Sequence, residues 1–284
     1  MRFVINTTLV VLFSIASLAA AEVTTTPDGQ LRLTASMGHS HNDYYQRQPL
    51  TLALDAEMLS IEADVFVRGD ELFVAHDEHE IRSHRTLRRL YLDPLYTRFE
   101  QRGGKQTDAP FGGSVRPSGT PIVLMVDFKS EGSTTWPVLE QQLAQYPGMI
   151  RHVATHTDGS VSITPGPVIV AVSGKRPIEM MTNAVGRYSG IDGRFPDDLN
   201  SNRPAHLMPM VSCSFSTLSR KAGGNRVDNL RPVLNRFARA TAEQGRLARV
   251  WGTPDNQSTW RLMRDARMQL INTDQPDKMK SFLE

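Results

Sequence analysis

Short apolar, β-branched runs recur along this chain, separated by longer segments in which apolar residues return at helical intervals. The runs at residues 31–37, 59–67, 72–75, 122–128, 168–172, 207–211, 249–251 and 269–272 predict strands. Between them, residues 49–58 place Leu50, Leu54 and Met58 four apart after Pro49, which suits a first helical turn. Residues 135–145, 229–244 and 258–268 carry the same helical spacing, the last two as clear amphipathic helices. Strands alternating with helices imply a parallel sheet, because a parallel pair needs a crossover and a helix supplies it. Eight strand candidates in a chain of 284 residues predict an α/β fold of one domain, a (β/α)8 TIM-type barrel, whose usual size is ~250 residues. An open doubly wound sheet is the alternative, but no Gly-x-Gly-x-x-Gly turn follows the first strand. Residues 77–120 form a long connection rich in Gly and Arg. A segment of that kind over one face of a barrel is expected to serve as a functional cover.

The first residues add a targeting signal to this picture. A lone charge at Arg2, an apolar run over residues 9–16 and three alanines at 19–21 follow the order of a secretory signal peptide. The expectation is cleavage after about Ala21, a domain over residues 22–284, and an exported protein, periplasmic or extracellular. An uncleaved anchor is the alternative, but the run is shorter than the roughly 20 residues a span requires. Lys and Arg number 32 against 30 Asp and Glu, so the charge balance points to neither nucleic acid nor an anionic membrane. Cys213 is the only cysteine, so the fold is held without an internal disulfide, by core burial or a bound metal. Inside the run MVSCSF it reads as a small buried apolar residue.

Candidate chemistry centres on three stretches. In IEADVF, Glu62 and Asp64 leave the same face of a predicted strand, while Ile61, Ala63 and Val65 leave the other. Two carboxylates aimed together into a barrel interior need a cation or donors to neutralise them. On an exposed strand face they are simply two solvated acids. Asp127, in IVLMVDFKS, falls near the C-terminal end of an apolar strand, where barrel catalytic groups gather. Three carboxylates from two strands suit a hard divalent ion, Mg2+ or Ca2+, which prefers oxygen ligands. His41 and His76 both follow predicted strands, and a pair of imidazoles flanking a metal-bound phosphate supplies a base and an acid near neutral pH. Lys129 lies on the same face as Asp127 and adds a positive charge there, or points to solvent. A rival arrangement uses His39-x-His41 as paired zinc ligands of an amidohydrolase barrel, with Asp274 after the last strand. It leaves Glu62 and Asp64 without a role, and His152, His156 and His206 supply its further ligands poorly.

The stretches HSHNDY, SIEADVFVRGDELFVAHD and VDFKS, in that order and spacing, resemble the phospholipase-C-like phosphodiesterase superfamily. Within it the chain is most similar to the proteins grouped with the altered inheritance of mitochondria protein six. It is more distantly similar to glycerophosphodiester phosphodiesterases and sphingomyelinase D-type phospholipases. The segments VIVAVSGKRP, IDGRFPDDL, RVWGTPD and INTD extend the likeness over most of the chain. The resemblance implies a TIM-type barrel, a divalent ion and cleavage of a glycerophosphodiester or phospholipid headgroup. By position it makes His41 and His76 the catalytic pair, Glu62, Asp64 and Asp127 the metal ligands, and Lys129 an active-site cation. His39 can exchange roles with His41, since a one-residue shift of the strand end turns the other imidazole inward. The glycerophosphodiesterases carry His-Arg-Gly where this chain has His41-Asn42-Asp43. The missing arginine puts the substrate in question, with Arg176 or Arg194 as replacements. Trp251 either packs against an apolar substrate part or closes the barrel, and Asn272 and Asp274 either orient the site or cap the final helix. A barrel that binds a ligand without turnover is a further alternative.

Overall fold

A computed structural model describes residues 23–26 and 30–284. Eight strands form its centre: β1 Met37–Ser40, β2 Ser60–Arg68, β3 Ile122–Phe128, β4 Val168–Gly174, β5 Ser189–Arg194, β6 Met210–Ser214, β7 Leu247–Trp251 and β8 Leu270–Thr273. Each pairs in parallel with the next. β8 returns to pair with β1, so the sheet closes into the expected (β/α)8 barrel. Helices occupy the connections: Thr51–Asp55, Asp93–Gln101, Gly132–Leu143, Ile178–Thr182, Phe215–Ala222 with Val227–Glu243, and Gln257–Asp265. Pro276–Leu283 follows β8, and only the β5 to β6 connection lacks a helix.

Alternation along the strands sorts the side chains. Ile61, Ala63 and Val65 of β2, with Leu124 and Val126 of β3, face outward and form one core with the helices. Met37, Val123, Ile169, Met210, Leu247 and Leu270 sit near the strand N-termini, face inward and fill the lower barrel. Each such burial stabilises the fold by about 1.5–3 kcal/mol. Further along, the inward positions become polar: His39, Glu62, Asp64, Ser173, Asp192, Ser212, Arg249 and Asn272 are all buried. Asp192 is typical of how these groups are satisfied, since Ser173 Oγ and Ser212 Oγ donate to it at 2.9 and 2.7 Å.

The predicted count of eight is right through two compensating differences. Residues 72–75 belong to Glu71–Val74, which turns back at Gly69 (φ +62°) and pairs antiparallel with β2 outside the barrel. The strand missing from the sequence reading is β5, SGIDGR. Residues 31–37 divide into Leu31–Leu33, antiparallel to Val23–Thr25, and the start of β1. The connection expected to cover the functional face serves both ends: Glu80 accepts from His76 N and Tyr45 Oη and Arg85 Nη2 donates to Tyr44 O beside the mouth, while its later part closes the opposite end. Phe111 joins the lower-barrel cluster. Arg116, fully buried, donates to the carbonyls of Met58, Thr120 and Pro121, just before β2 and β3. The proposed leader, residues 1–21, lies outside the described residues.

Candidate active site

β2 and β3 run side by side with Asp64 directly opposite Asp127. Period-two alternation sends Glu62, Asp64 and Asp127 to the same interior, and one oxygen from each lies within 4.8 Å of the others. Each carboxylate is fastened through one oxygen. Glu62 Oε2 accepts from Arg249 Nη2 at 2.9 Å and lies 3.3 Å from His39 Nε2. Asp64 Oδ2 accepts from Tyr44 Oη at 2.7 Å and pairs with Lys129 Nζ at 2.9 Å. Asp127 Oδ1 lies 3.4 Å from the same ammonium. The remaining oxygen of Asp64, Oδ1, is buried without a hydrogen-bond partner. Leaving such an acceptor orphaned costs about 1–3 kcal/mol, more when charged, and a cation removes that cost. The donor set is three carboxylate oxygens and suits a hard divalent ion.

Electrostatics distinguish the acids. Burial, then the charge of Glu62, raises the pKa of Asp64, and Lys129 works against that rise. Burial alone would raise Glu62 too, but Arg249 and the imidazoles of His39 and His41 outweigh it and hold the carboxyl well below the usual range. Burial works to lower Lys129, yet Asp127 and Asp64 prevail and raise it, so it stays an ammonium.

Two imidazoles flank the acids. His41 follows β1, with its backbone N–H donating to Thr273 O at 2.9 Å. Its Nδ1 is 2.7 Å from Asp274 Oδ1, and its Nε2 is 3.8 Å from Glu62 Oε2. His76 follows the hairpin on β2, with Nδ1 2.8 Å from Asp64 Oδ2 and 3.2 Å from Tyr44 Oη. Each of these imidazoles meets a carboxylate through Nδ1. Their side chains are 25 and 45 % exposed, within reach of a ligand. His39 is different. It is fully buried, bonded to Ser60 Oγ at 2.8 Å through Nδ1 and to Glu62 through Nε2. Burial first, then Arg249, lowers its pKa to about 4.

Arg249 and Tyr44 escaped the sequence reading. Arg249 was legible in principle, because Ala248 and Val250 are the apolar outward residues of LARVW and alternation turns Arg249 inward. Tyr44 gave no periodic signal, being in a single 3-10 turn, Asp43–Tyr45. Asn272 orients rather than caps, since its Oδ1 accepts from Arg249 Nε at 2.9 Å. Arg176 and Arg194 meet over β5, where each donates to Asp192 O. Trp251, two positions beyond Arg249, is 41 % exposed. The amidohydrolase arrangement does not form. Among the described residues the metal-capable group is three acids without a histidine. Both nitrogens of His39 are engaged elsewhere. His152 and His156 belong to a hairpin outside the barrel, and His206 bonds to Arg187 Nη2.

A family model, the AIM6-like phosphodiesterase domain, matches residues 30–190, more than half of the chain. The chain belongs to this family. Among curated relatives, the altered inheritance of mitochondria protein 6 homolog of Arthroderma benhamiae is 29% identical over 86% of this chain and 82% of its own length. The altered inheritance of mitochondria protein 6 of Eremothecium gossypii is 26% identical over 86% of this chain and 68% of its own. A solved glycerophosphodiester phosphodiesterase from Agrobacterium tumefaciens covers 88% of this chain and 98% of its own at 15% identity, with a TM-score of 0.43. Family membership makes this a phosphodiesterase-like domain and bears out the resemblance carried by the HSHNDY, SIEADVFVRGDELFVAHD and VDFKS stretches. The relatives also correct one expectation. They are fungal proteins named for the inheritance of mitochondria, a cellular trait, and this overturns the periplasmic or extracellular localisation drawn from the first residues. No described helix is long and apolar enough to cross a membrane.

Proposed function

We propose that this protein is a divalent-metal-dependent phosphoric diester hydrolase acting on a glycerophosphodiester or phospholipid headgroup. The observation that carries the reading is the convergence of Glu62, Asp64 and Asp127 between two accessible imidazoles, each oriented by a carboxylate. In this reading the three acids hold Mg2+ or Ca2+, which when bound would neutralise charge developing on the phosphoryl oxygens. One imidazole of the pair His41 and His76 takes the proton from the attacking hydroxyl, of water or of the substrate itself. The other, doubly protonated as the imidazolium, gives its Nε2 proton to the departing alcohol as the P–O bond breaks. The pair is His41 and His76 rather than His39, because His39 is sealed from the mouth and both its nitrogens are bonded. Lys129, held between Asp64 and Asp127, places an ammonium beside the same phosphoryl oxygens.

The test is hydrolysis of glycerophosphocholine and bis(p-nitrophenyl) phosphate by the purified protein, with Mg2+ or Ca2+ and with a chelator. The reading expects chelator-sensitive turnover that His41→Ala or His76→Ala reduces by about 100-fold or more. Metal-independent turnover, or none in any condition, contradicts it; tight ligand binding without turnover would favour a binding barrel.

A further inference from the structure

Asp274 stands just after β8, outside the carboxylate cluster. Its side chain is 60 % exposed, yet its carboxylate makes a 2.7 Å contact with His41 Nδ1. The helix that follows, Pro276–Leu283, takes no side-chain cap, so Asp274 is not there to start it. Its backbone is fastened from two neighbouring loops. Asp255 Oδ2, from the loop after β7, accepts from Asp274 N at 2.9 Å, Thr273 Oγ1 at 3.2 Å and Gln275 Nε2 at 3.0 Å. Trp260 Nε1 donates to the other oxygen of Asp255 at 2.9 Å and fixes that support in turn. From the loop after β1, Gln46 Nε2 donates to Asp274 O at 2.9 Å, and His41 N donates to Thr273 O at 2.9 Å. An exposed acid on so constrained a backbone has its carboxylate aimed at one atom.

We propose that Asp274 is a positioning residue that fixes His41 as the Nδ1–H tautomer and turns Nε2 toward the carboxylate cluster. A neutral imidazole has one proton for two nitrogens, and the group beside one nitrogen decides where it resides. A carboxylate accepts and cannot donate, so the proton sits on Nδ1 and the Nε2 lone pair faces the site. The two histidines thereby differ. His76 is oriented by Asp64, itself one of the three clustered acids, whereas His41 is oriented by an acid that touches none of them. Asp274 can be changed without disturbing the cluster, which makes its role separable. Its catalytic consequence rests on the phosphodiesterase reading above; the tautomer does not.

The test uses the full chain and the variants Asp274→Ala and Asp274→Asn, the second able to present an amide N–H to Nδ1 and force the other tautomer. Nitrogen-15 shifts of the His41 ring report the tautomer directly, and Mg2+ titration calorimetry reports the cluster. The expected result is Nδ1–H in the parent, loss of that preference in both variants, and unchanged Mg2+ affinity and melting temperature. On bis(p-nitrophenyl) phosphate kcat should fall about 10- to 100-fold with KM unchanged, and Asp274→Glu should recover part of it. The proposal is overturned by an Nε2–H tautomer in the parent, by the same tautomer in parent and both variants, or by undiminished kcat in both variants of an active parent. An inactive parent counts against the phosphodiesterase reading alone, and the ring shifts then decide the role of Asp274.

Discussion

Replacing Arg249 with methionine keeps the apolar stem and removes the charge that Glu62 depends on. The two side chains are only 3 and 5 % exposed, and Nη2 lies 2.9 Å from Glu62 Oε2. Removing one partner of a buried pair leaves the other charge uncompensated, a loss of about 3–5 kcal/mol. Asn272 Oδ1 also loses its donor, Arg249 Nε. That is a large share of the ~5–15 kcal/mol that holds a domain together. Urea denaturation in chelator should show this loss in Arg249→Met. Adding Glu62→Gln should return much of it, because a neutral amide tolerates the site. Mg2+ at about 100 times its Kd contributes about 2.7 kcal/mol to any folded state that binds it. It should stabilise Arg249→Met more than the parent, since in the variant the ion meets a carboxylate with no competing guanidinium. A loss under about 1 kcal/mol, set against the range for a broken buried pair, would refute the reasoning. So would a double variant no more stable than Arg249→Met.

Other consequences are equally open to measurement. Burial and Arg249 hold His39 near about 4, against an ordinary 6.5. Between those values the unfolded chain binds the extra proton, so stability should fall as pH drops through this window, by up to roughly 3 kcal/mol. Urea midpoints across the window should show the slope, and His39→Asn should flatten it. Gly174 has φ +66°, and an added Cβ would sit 2.4 Å from Phe128 O and 2.5 Å from Asp127 Oδ1. Gly174→Ala should therefore displace Asp127 and weaken Mg2+ binding by about 10-fold or more by calorimetry; unchanged affinity would contradict this placement of Asp127. Phe111→Ala, at the sealed end of the barrel, should cost about 3–5 kcal/mol in denaturation while leaving turnover per folded molecule unchanged.

The barrel was legible because β3 and β4 present near-continuous apolar runs, the signature of strands buried on both faces. β5 was not, since SGIDGR offers Ile191 alone for the outward core and gives its inward place to Asp192. The Glu71–Val74 hairpin filled the gap in the count because alternation cannot tell an antiparallel flap from a barrel strand. Within the site, the Glu62-x-Asp64 spacing and the apolar run before Asp127 placed three residues in the same interior. Tyr44 and the Asp274 contact were hidden, because both depend on where loops bend in three dimensions. His39 and His41 share a strand face, so alternation could not rank them; pairing of β8 with β1 ends at Ser40, which leaves His39 inside the barrel and His41 in the loop beyond it. The connection over residues 77–120 divides between the two ends of the barrel for a related reason: composition marks a long loop without saying which end each stretch of it reaches.

The most direct measurement is anomalous diffraction from crystals of the full chain soaked in Mn2+ and inorganic phosphate. The account predicts one peak about 2.0–2.6 Å from an oxygen of each of Glu62, Asp64 and Asp127, with the phosphate beside it between His41 and His76. A peak elsewhere, or no peak at saturating Mn2+ with the three acids still held by their protein partners alone, would contradict it.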